Sequence, residues 1–259
     1  MVWAEVFASV TVGLIGGIGA GLLGVSPGGP LVVLSVLLLG AEQHVAQGLS
    51  LLAQVPPTSL SGIRQYWQKG SRSPLHWLLL LAAGFVVGGV AGALAAAGVA
   101  ARTLQWAYVL YLAALEAMLV VRRRHTSTAD DRATVERIHW AALLLVGAVG
   151  GFSSGFIGIG GGLAITVGLS AGLRVPQHQA QMISLILALL PTTVPAVLVY
   201  WRQGWVPSWP VIVGVVLGLY VGTTLGALVA NPVSAAALHR VLIGVVAVMT
   251  GYMAYKALS

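Results

Sequence analysis

Two glycine-rich stretches, GVSPGGP at residues 24–30 and GIGGG at residues 158–162, each follow a long apolar run and precede a shorter one. Glycine has little preference for helical backbone, and proline lacks the amide hydrogen that a helix needs. We therefore expect each stretch to end one helix and to begin another. The remaining features of the sequence are organised around these two breaks.

The composition indicates a membrane protein with many spans. Of 259 residues, 58% are apolar and only 7% are charged. Ordinary soluble domains carry about 25% charged residues, and disordered chains combine low hydrophobicity with high charge, so both classes are excluded. There is no cysteine, which excludes disulfides, thiolate chemistry and cysteine-based metal sites.

The positive charge is concentrated in short segments between apolar stretches. Three basic residues lie within 64–72, and five lie in the linker that follows the fourth stretch: Arg122, Arg123, Arg124, Arg132 and Arg137. This bias is typical of cytoplasmic loops and not of a nucleic-acid-binding surface. We expect the protein to lie in the cytoplasmic membrane with both termini on the cytoplasmic side, in contact with lipid and without a nucleic-acid partner.

Eight apolar stretches approach the roughly 20 residues that a spanning helix requires. The N-terminal one lacks the basic start of a signal peptide, so we interpret it as a membrane helix. Two shorter pieces, at 31–39 and 163–173, follow the breaks and predict half-helices or re-entrant segments. The predicted spans are Val2–Gly24, Val45–Ile63, Leu75–Gly98, Leu104–Val121, Ile138–Ile157, Gln179–Tyr200, Trp209–Ala230 and Leu238–Tyr255.

The two halves of the chain are related by a shift of 134 residues. Residues 21–70 and 155–204 share 16 identities in 50 positions, including the polar pairs Gln43 with Gln177 and Ser50 with Ser184. The sequence therefore predicts two homologous four-helix repeats, at 1–125 and 135–259, joined by a cytoplasmic linker at 126–134. The fold class is all-α, with about eight transmembrane helices and broken or re-entrant segments.

Glycines at intervals of four recur in both halves and predict closely packed helices. Such ridges allow two backbones to approach each other where lipid gives no hydrophobic drive to association. The ridges are Gly13, Gly17 and Gly21, matched by Gly147, Gly151 and Gly155, and Gly84, Gly88 and Gly92, matched by Gly218, Gly222 and Gly226.

Charge counting leaves two topologies open. If each long stretch crosses once, the repeats are parallel, both termini are cytoplasmic, and Arg102, Arg174 and Arg240 are the basic residues outside. If the short pieces add a crossing, each half has five crossings and the repeats are inverted. Ten basic residues are cytoplasmic in either arrangement.

The breaks are the candidate anion-binding elements. Transporters use broken helices to direct half-helix N-termini at anionic substrates. We expect a central substrate site that includes the backbone at the two breaks, namely Ser26, Gly28, Gly29, Gly160, Gly161 and Gly162. The alternative interpretation is a kink that serves only helix packing.

A polar stripe follows each break in an otherwise apolar helix. Spacings of three and four residues place these side chains on about one helix face. We predict that Gln47, Ser50, Gln181 and Ser184 donate hydrogen bonds to the anion; the alternative is hydrogen bonding between helices. His44 and His178 begin the two stripes. Their role in proton coupling is a hypothesis, because histidine titrates near neutrality.

The sequence gives little support for an enzymatic or cofactor-binding site. Residues 151–155 fit G-x-S-x-G, but that motif requires a preceding strand, an acid and a base. No group of carboxylates or histidines has metal-ligand spacing, so we expect no metal and no cofactor. Tyr200, Trp201 and Trp209 are interpreted as aromatic residues at the membrane interface.

With these elements, the sequence resembles the TauE/SafE sulfite exporter family over nearly its whole length. The resemblance rests on GIGGG at 158–162, on A-x-G-x-S at 46–50 and more loosely at 180–184, and on Tyr-x-x-x-Gly at 66–70 and 200–204. The first break departs from the family pattern, with Ser26-Pro27-Gly28 where three glycines are usual.

The resemblance implies a secondary transporter that moves sulfite, organosulfonates or related small sulfur oxoanions, and no enzymatic activity. The rival hypotheses are an anion channel, or a permease for another small organic anion, and an intramembrane hydrolase with Ser153 or Ser154 and His178. A homodimer is a further hypothesis.

Overall fold

The computed structural model describes residues 2–23, 26–56, 74–122, 138–230 and 235–258, and these residues form helices and connecting turns without a strand. A π-helical turn, Gly168–Gly172, follows the seventh helix. In chain order the helices are α1 (Val2–Leu23), α2 (Gly28–Leu38), α3 (Gln43–Ala53), α4 (Leu75–Ala97), α5 (Ala101–Arg122), α6 (Trp140–Ile157), α7 (Gly162–Val167), α8 (Gln177–Leu189), α9 (Val194–Arg202), α10 (Trp209–Ala230) and α11 (Ala235–Leu258).

Four of the described helices are long and apolar enough to cross a membrane. They contain Trp3–Leu22, Leu75–Ala97, Trp140–Ile157 and Trp209–Gly226. Many of their large apolar side chains are exposed, for example Val87 and Leu145. This exposure is expected where lipid and not water surrounds the helices.

The predicted sixth span, Gln179–Tyr200, is not one continuous helix. Helix α8 ends at Leu189, and α9 begins at Val194. Pro191 cannot donate a backbone hydrogen bond, and the preceding residue, Leu190, is extended with ψ 143°. Of the predicted second span, α3 covers the part up to Ala53, and residues 57–73 lie outside the described part of the chain.

The two short helices predicted after the breaks are confirmed. Helix α2 has 11 residues, and α7 has 6 residues followed by the 5-residue π turn. At about 1.5 Å per residue, each reaches roughly half the thickness of a bilayer. The glycine-rich stretches thus divide the chain as their composition indicates.

The chain forms two compact units, which do not coincide with the predicted repeats at 1–125 and 135–259. The first unit contains residues 1–46, 99–129 and 208–259, and the second contains residues 47–98 and 130–207. Each unit therefore takes helices from both halves of the sequence. The boundary between the units falls within α3, and the predicted linker at 126–134 lies outside the described residues.

Glycine ridges form the main helix contact of each unit, as predicted. In the first unit α1 packs against α10. A Cβ atom added at Gly13 would meet the carbonyl oxygen of Val215, and one added at Gly218 would meet that of Val10. In the second unit α4 packs against α6, and a Cβ at Gly92 would meet the carbonyl of Phe152. The paired residue numbers rise together, so the two helices of each pair are parallel.

Corresponding elements of the two halves begin 134 residues apart, like the sequence matches. This holds for α2 and α7, α3 and α8, α4 and α10, and α5 and α11. The rare left-handed backbone follows the same relation, with φ of 62° at Gly40 and 55° at Arg174. The two sequence halves therefore use the same local conformations.

The chain crosses the second unit three times between residues 140 and 202. Helix α7 runs back along α6, because Gly161 lies against the carbonyl of Gly150 and Gly168 lies against Val146. Val175 then shares a core cluster with Leu143, near the start of α6. From there α8 and α9 return to the other end of α6, where the Tyr200 hydroxyl contacts the carbonyl of Gly155.

Helices α5 and α11 of the first unit are antiparallel. The Arg102 Nε donates to the carbonyl oxygen of Ala257 at 2.9 Å, and its Nη2 donates to that of Leu258 at 3.4 Å. The start of α5 thus lies beside the end of α11. Eight single crossings with both termini cytoplasmic would make these helices parallel. The observed antiparallel contact does not fit that arrangement.

The antiparallel packing predicts that Arg102 and Leu258 lie on one side of the membrane. Since the chain has no cysteine, Arg102→Cys and Leu258→Cys each introduce the only thiol. We expect a membrane-impermeant thiol reagent to label both variants from the same side in intact cells. Arg240→Cys, near the start of α11, is the control and should react from the opposite side. Labelling of Arg102→Cys and Leu258→Cys from opposite sides would contradict the packing.

Candidate functional site

The break in the second unit begins where α6 ends. Gly158 caps α6 in the left-handed conformation, with φ of 78°, and its N–H donates to the carbonyl oxygen of Ser154 at 2.8 Å. Gly160 is also left-handed, with φ of 79°. Such backbone favours glycine strongly, because a Cβ atom would clash with the following carbonyl. The chain can therefore turn from α6 into α7 within four residues.

Helix α3 packs directly on this break. A Cβ atom added at Gly158 would lie 2.8 Å from the Cβ of Gln47. One turn further along α3, the Ser50 hydroxyl donates to the carbonyl oxygen of Gly158 at 2.7 Å. Both Gln47 and Ser50 are fully buried. Residues that the sequence separates by more than a hundred positions thus meet at the break.

The predicted serines hold carbonyl groups of the broken backbone. Ser50 does so at Gly158, and the Ser184 hydroxyl donates to the carbonyl oxygen of Gly162 at 2.9 Å. The Thr166 hydroxyl donates to the same carbonyl at 2.8 Å. A hydroxyl has one hydrogen to donate. In this geometry, the hydroxyl hydrogens of Ser50 and Ser184 are committed to the protein.

Tyr200 joins α9 to both α3 and α6. Its hydroxyl oxygen lies 3.0 Å from the Gln47 Oε1 and 2.9 Å from the carbonyl oxygen of Gly155. Tyr200 is fully buried, so its interpretation as an interfacial residue is wrong. Trp201 and Trp209 are 43% and 63% exposed, as residues at an interface would be.

Gln47 is left with an unpaired amide nitrogen. Its side chain is fully buried, and its Nε2 has no hydrogen-bond partner among the described residues. Burying a polar group without a partner costs free energy, so such groups in native proteins require an explanation. A donor held at a helix break is suited to an anionic ligand.

The first unit has its own break, between α1 and α2. Gly28 and Gly29 are buried, Ser26 is partly buried, and the Tyr108 hydroxyl donates to the carbonyl oxygen of Gly29 at 2.7 Å. Tyr108 was not among the residues predicted from the sequence. A tyrosine that satisfies a carbonyl near a break has no local sequence pattern, because its partner lies 79 positions away.

The remaining predicted residues are less closely tied to a break. His44 is buried in α3, with its Nδ1 3.7 Å from a carboxylate oxygen of the exposed Glu42. Gln181 is partly buried in α8. The side chain of His178 lies outside the described part of the structure. Within the described residues, no three His, Asp or Glu side chains form a group that could hold a metal ion.

Comparison with known proteins identifies one family. The family model described as sulfite exporter TauE/SafE matches residues 9–253, nearly the whole chain. No curated protein matches the chain. No solved structure matches it either.

Glycine at position 158 is predicted to be required for both its backbone and its contact. Gly158→Ala combines left-handed strain of about 1–2 kcal/mol with a clash against Gln47 that adds about 1–3 kcal/mol. Gly204 has a similar φ of 76° but nothing within 4 Å of an added Cβ, so Gly204→Ala is the matched control for strain alone. Thermal unfolding of the purified variants should show the larger loss for Gly158→Ala; equal losses would contradict the contact.

Proposed function

Because the chain belongs to the sulfite exporter TauE/SafE family, we propose that it is a secondary transporter that exports sulfite, an organosulfonate or a related small sulfur oxoanion across the cytoplasmic membrane. TauE/SafE is a transporter family, and the described helices are those of a membrane protein. The substrate and the residues that contact it are the parts of the proposal argued below.

The buried amide of Gln47 is the observation that carries the proposed site. Its Nε2 can donate two hydrogen bonds, and it has no partner among the described residues. Rotation of the amide would instead present Oε1, which only accepts. A sulfur oxoanion has only acceptor oxygens. It would therefore bind the orientation of the amide in which the donor Nε2 faces it.

The other proposed contacts come from both breaks and from α8. In this proposal Gly160, Gly161 and Gly162 would supply backbone N–H groups, and Gln181 would supply a second amide. Ser50 and Ser184 support the break by holding its carbonyls. Ser26, Gly28 and Gly29 are the proposed substrate contacts of the first unit.

Among the described residues, the polar side chains seen at the second unit's break are neutral: Gln47, Ser50, Ser184 and Tyr200. Hydrogen bonds to a charged partner contribute about 1.5–3 kcal/mol each, without the strong binding that a buried cation would add. An anion held by neutral donors can be bound selectively and still be released. This balance suits a transporter, which must let go of its substrate on the far side.

For the topology, we propose two homologous, inverted halves, each with five crossings. The antiparallel α5 and α11 support this arrangement, as does the path of α7 to α9 through the second unit. With a cytoplasmic linker at 126–134, both termini then lie on the opposite side. The ten cytoplasmic basic residues of this arrangement agree with the distribution of charge in membrane proteins.

An intramembrane hydrolase has less support. The Ser153 hydroxyl donates to the carbonyl oxygen of Val149 in the preceding turn of α6, at 2.9 Å. A serine nucleophile needs an adjacent base that accepts its proton. Helical back-bonding of this kind is ordinary in membrane helices.

Gln47→Glu is predicted to abolish anion binding. The substitution preserves the shape of the side chain and an acceptor for Tyr200, but it replaces the amide donor with a negative charge. We expect sulfite or one organosulfonate to raise the melting temperature of the unmodified protein. At a ligand concentration of 100 times Kd, the free energy of unfolding should rise by about 2.7 kcal/mol. Sulfate and acetate complete the panel.

The exposed Gln203, at the end of α9, provides the control Gln203→Glu, which should respond as the unmodified protein does. A flat response of the unmodified protein across the panel would contradict the proposed substrate class. An undiminished response of Gln47→Glu would contradict the proposed site.

Proton coupling through His44 and His178 is a second part of the proposal. His44 is buried near Glu42, and histidine changes charge at about pH 5–8. We expect the double variant His44→Ala, His178→Ala to lose the pH dependence of transport in proteoliposomes. His76→Ala, at an exposed histidine, is the control. An unchanged pH profile in the double variant would remove the histidines from the coupling mechanism.

A further inference from the structure

A second buried donor lies beside the break in the second unit. Ser154, in the last turn of α6, is only 1% exposed, and its Oγ has no hydrogen-bond partner among the described residues. In the sequence, Ser154 belongs only to the G-x-S-x-G pattern of the hydrolase hypothesis. Neither the family match nor the predicted polar stripe accounts for its unpaired hydroxyl.

This hydroxyl differs from most other helical hydroxyls of the protein. Ser153 donates to the carbonyl oxygen four residues earlier, and Thr11, Ser170 and Thr250 do the same at 2.7–2.8 Å. That bond satisfies a hydroxyl in an apolar setting. For Ser154 the corresponding acceptor would be Gly150, whose carbonyl oxygen lies against Gly161. Ser154 makes no such bond among the described residues, so its hydroxyl can donate to another acceptor.

Ser154 and Gln47 both border Gly158. The carbonyl oxygen of Ser154 accepts the N–H of Gly158 at 2.8 Å, and Gly158 also packs on Gln47. Tyr200 links the same two segments, because its hydroxyl contacts Gln47 and the carbonyl of Gly155, the residue after Ser154. All of these residues belong to the second unit. Two buried, unpaired polar groups thus flank one residue of the break.

We propose that the Ser154 hydroxyl is a second hydrogen-bond donor to the transported sulfur oxoanion, beside the Gln47 amide. The proposal rests on the proposed function and assigns to Ser154 the donor role that the sequence predicted for Ser50 and Ser184. An oxoanion has several acceptor oxygens, so one can accept from the amide and another from the hydroxyl. A cation would be disfavoured, because the Gln47 Nε2 can only donate.

The test is the Kd for sulfite, measured by thermal-shift titration, of Ser154→Ala against the unmodified protein. Loss of a hydrogen bond to a charged ligand should weaken binding roughly tenfold to a hundredfold. Without ligand, the melting temperature should be unchanged or higher, since the variant removes an unpaired buried hydroxyl. A purely structural role predicts the reverse: a lower melting temperature and an unchanged Kd.

Ser153→Ala is the matched control. It removes a hydroxyl from the neighbouring position of the same helix, one that is bonded to Val149, and it should leave the Kd for sulfite unchanged. Ser154→Cys keeps almost the size of the side chain and leaves only a weak donor. It should also weaken sulfite binding, so the test does not depend on the folding of Ser154→Ala.

The outcomes separate this proposal from the proposed function. If the unmodified protein binds sulfite, and Gln47→Glu loses binding while both Ser154 variants retain it, the role of Ser154 is overturned and the proposed function stands. If the unmodified protein binds no sulfur oxoanion, both are overturned. Weaker binding in both Ser154 variants, with Ser153→Ala unaffected, is the result that the proposal predicts.

Discussion

The backbone groups freed at the break after α6 are the constraint on which the second unit depends. A helix that ends inside an apolar environment leaves carbonyl and amide groups that must find partners within the protein. Here hydroxyl groups from distant parts of the chain supply them. Ser50 reaches the freed carbonyl of Gly158 from α3, and Tyr200 reaches that of Gly155 from α9. Ser184 of α8 adds a bond to the carbonyl of Gly162, where α7 begins. The break therefore fixes the positions of three other helices.

The same constraint separates the hydroxyl groups that are bonded to the backbone from the Gln47 amide, which is not. A hydroxyl that holds a carbonyl has no hydrogen left for an anion, whereas the Gln47 amide retains an unpaired donor. The proposed site therefore uses fewer groups than the polar stripe alone indicates. A small number of neutral donors around glycine-rich backbone is consistent with binding that is selective and reversible, as the family's transport activity requires.

The sequence predicted those parts of the fold that local chemistry determines. Glycine content placed both breaks, glycine spacing placed the packed ridges of α1 and α4, and apolar length placed the short helices after the breaks. The extended backbone at Leu190 before Pro191 was missed, because the apolar run continues across it. The direction of α5 relative to α11 could not be predicted either, because both topologies place ten basic residues on the cytoplasmic side.

The candidate site was predictable only in part, for a related reason. Gln47 and Ser50 were identifiable because a polar stripe is unusual in an apolar helix, and both are buried at the break. Tyr200 resembled an interfacial aromatic residue, and its partner Gln47 lies 153 positions away in the chain. Ser153 and Ser154 are adjacent in the sequence, and what distinguishes them is that Ser153 donates a hydrogen bond within its helix whereas Ser154 does not. Such differences depend on tertiary contacts and leave no periodic signal.

Saturable counterflow tests the central claim that a sulfur oxoanion is carried through a site. Proteoliposomes containing the protein would be loaded with unlabelled sulfite and diluted into a trace of radiolabelled sulfite. A carrier predicts transient accumulation of label that depends on the internal sulfite and saturates with external sulfite. Label that only equilibrates, at a rate that rises linearly with concentration, would contradict a carrier and indicate a channel.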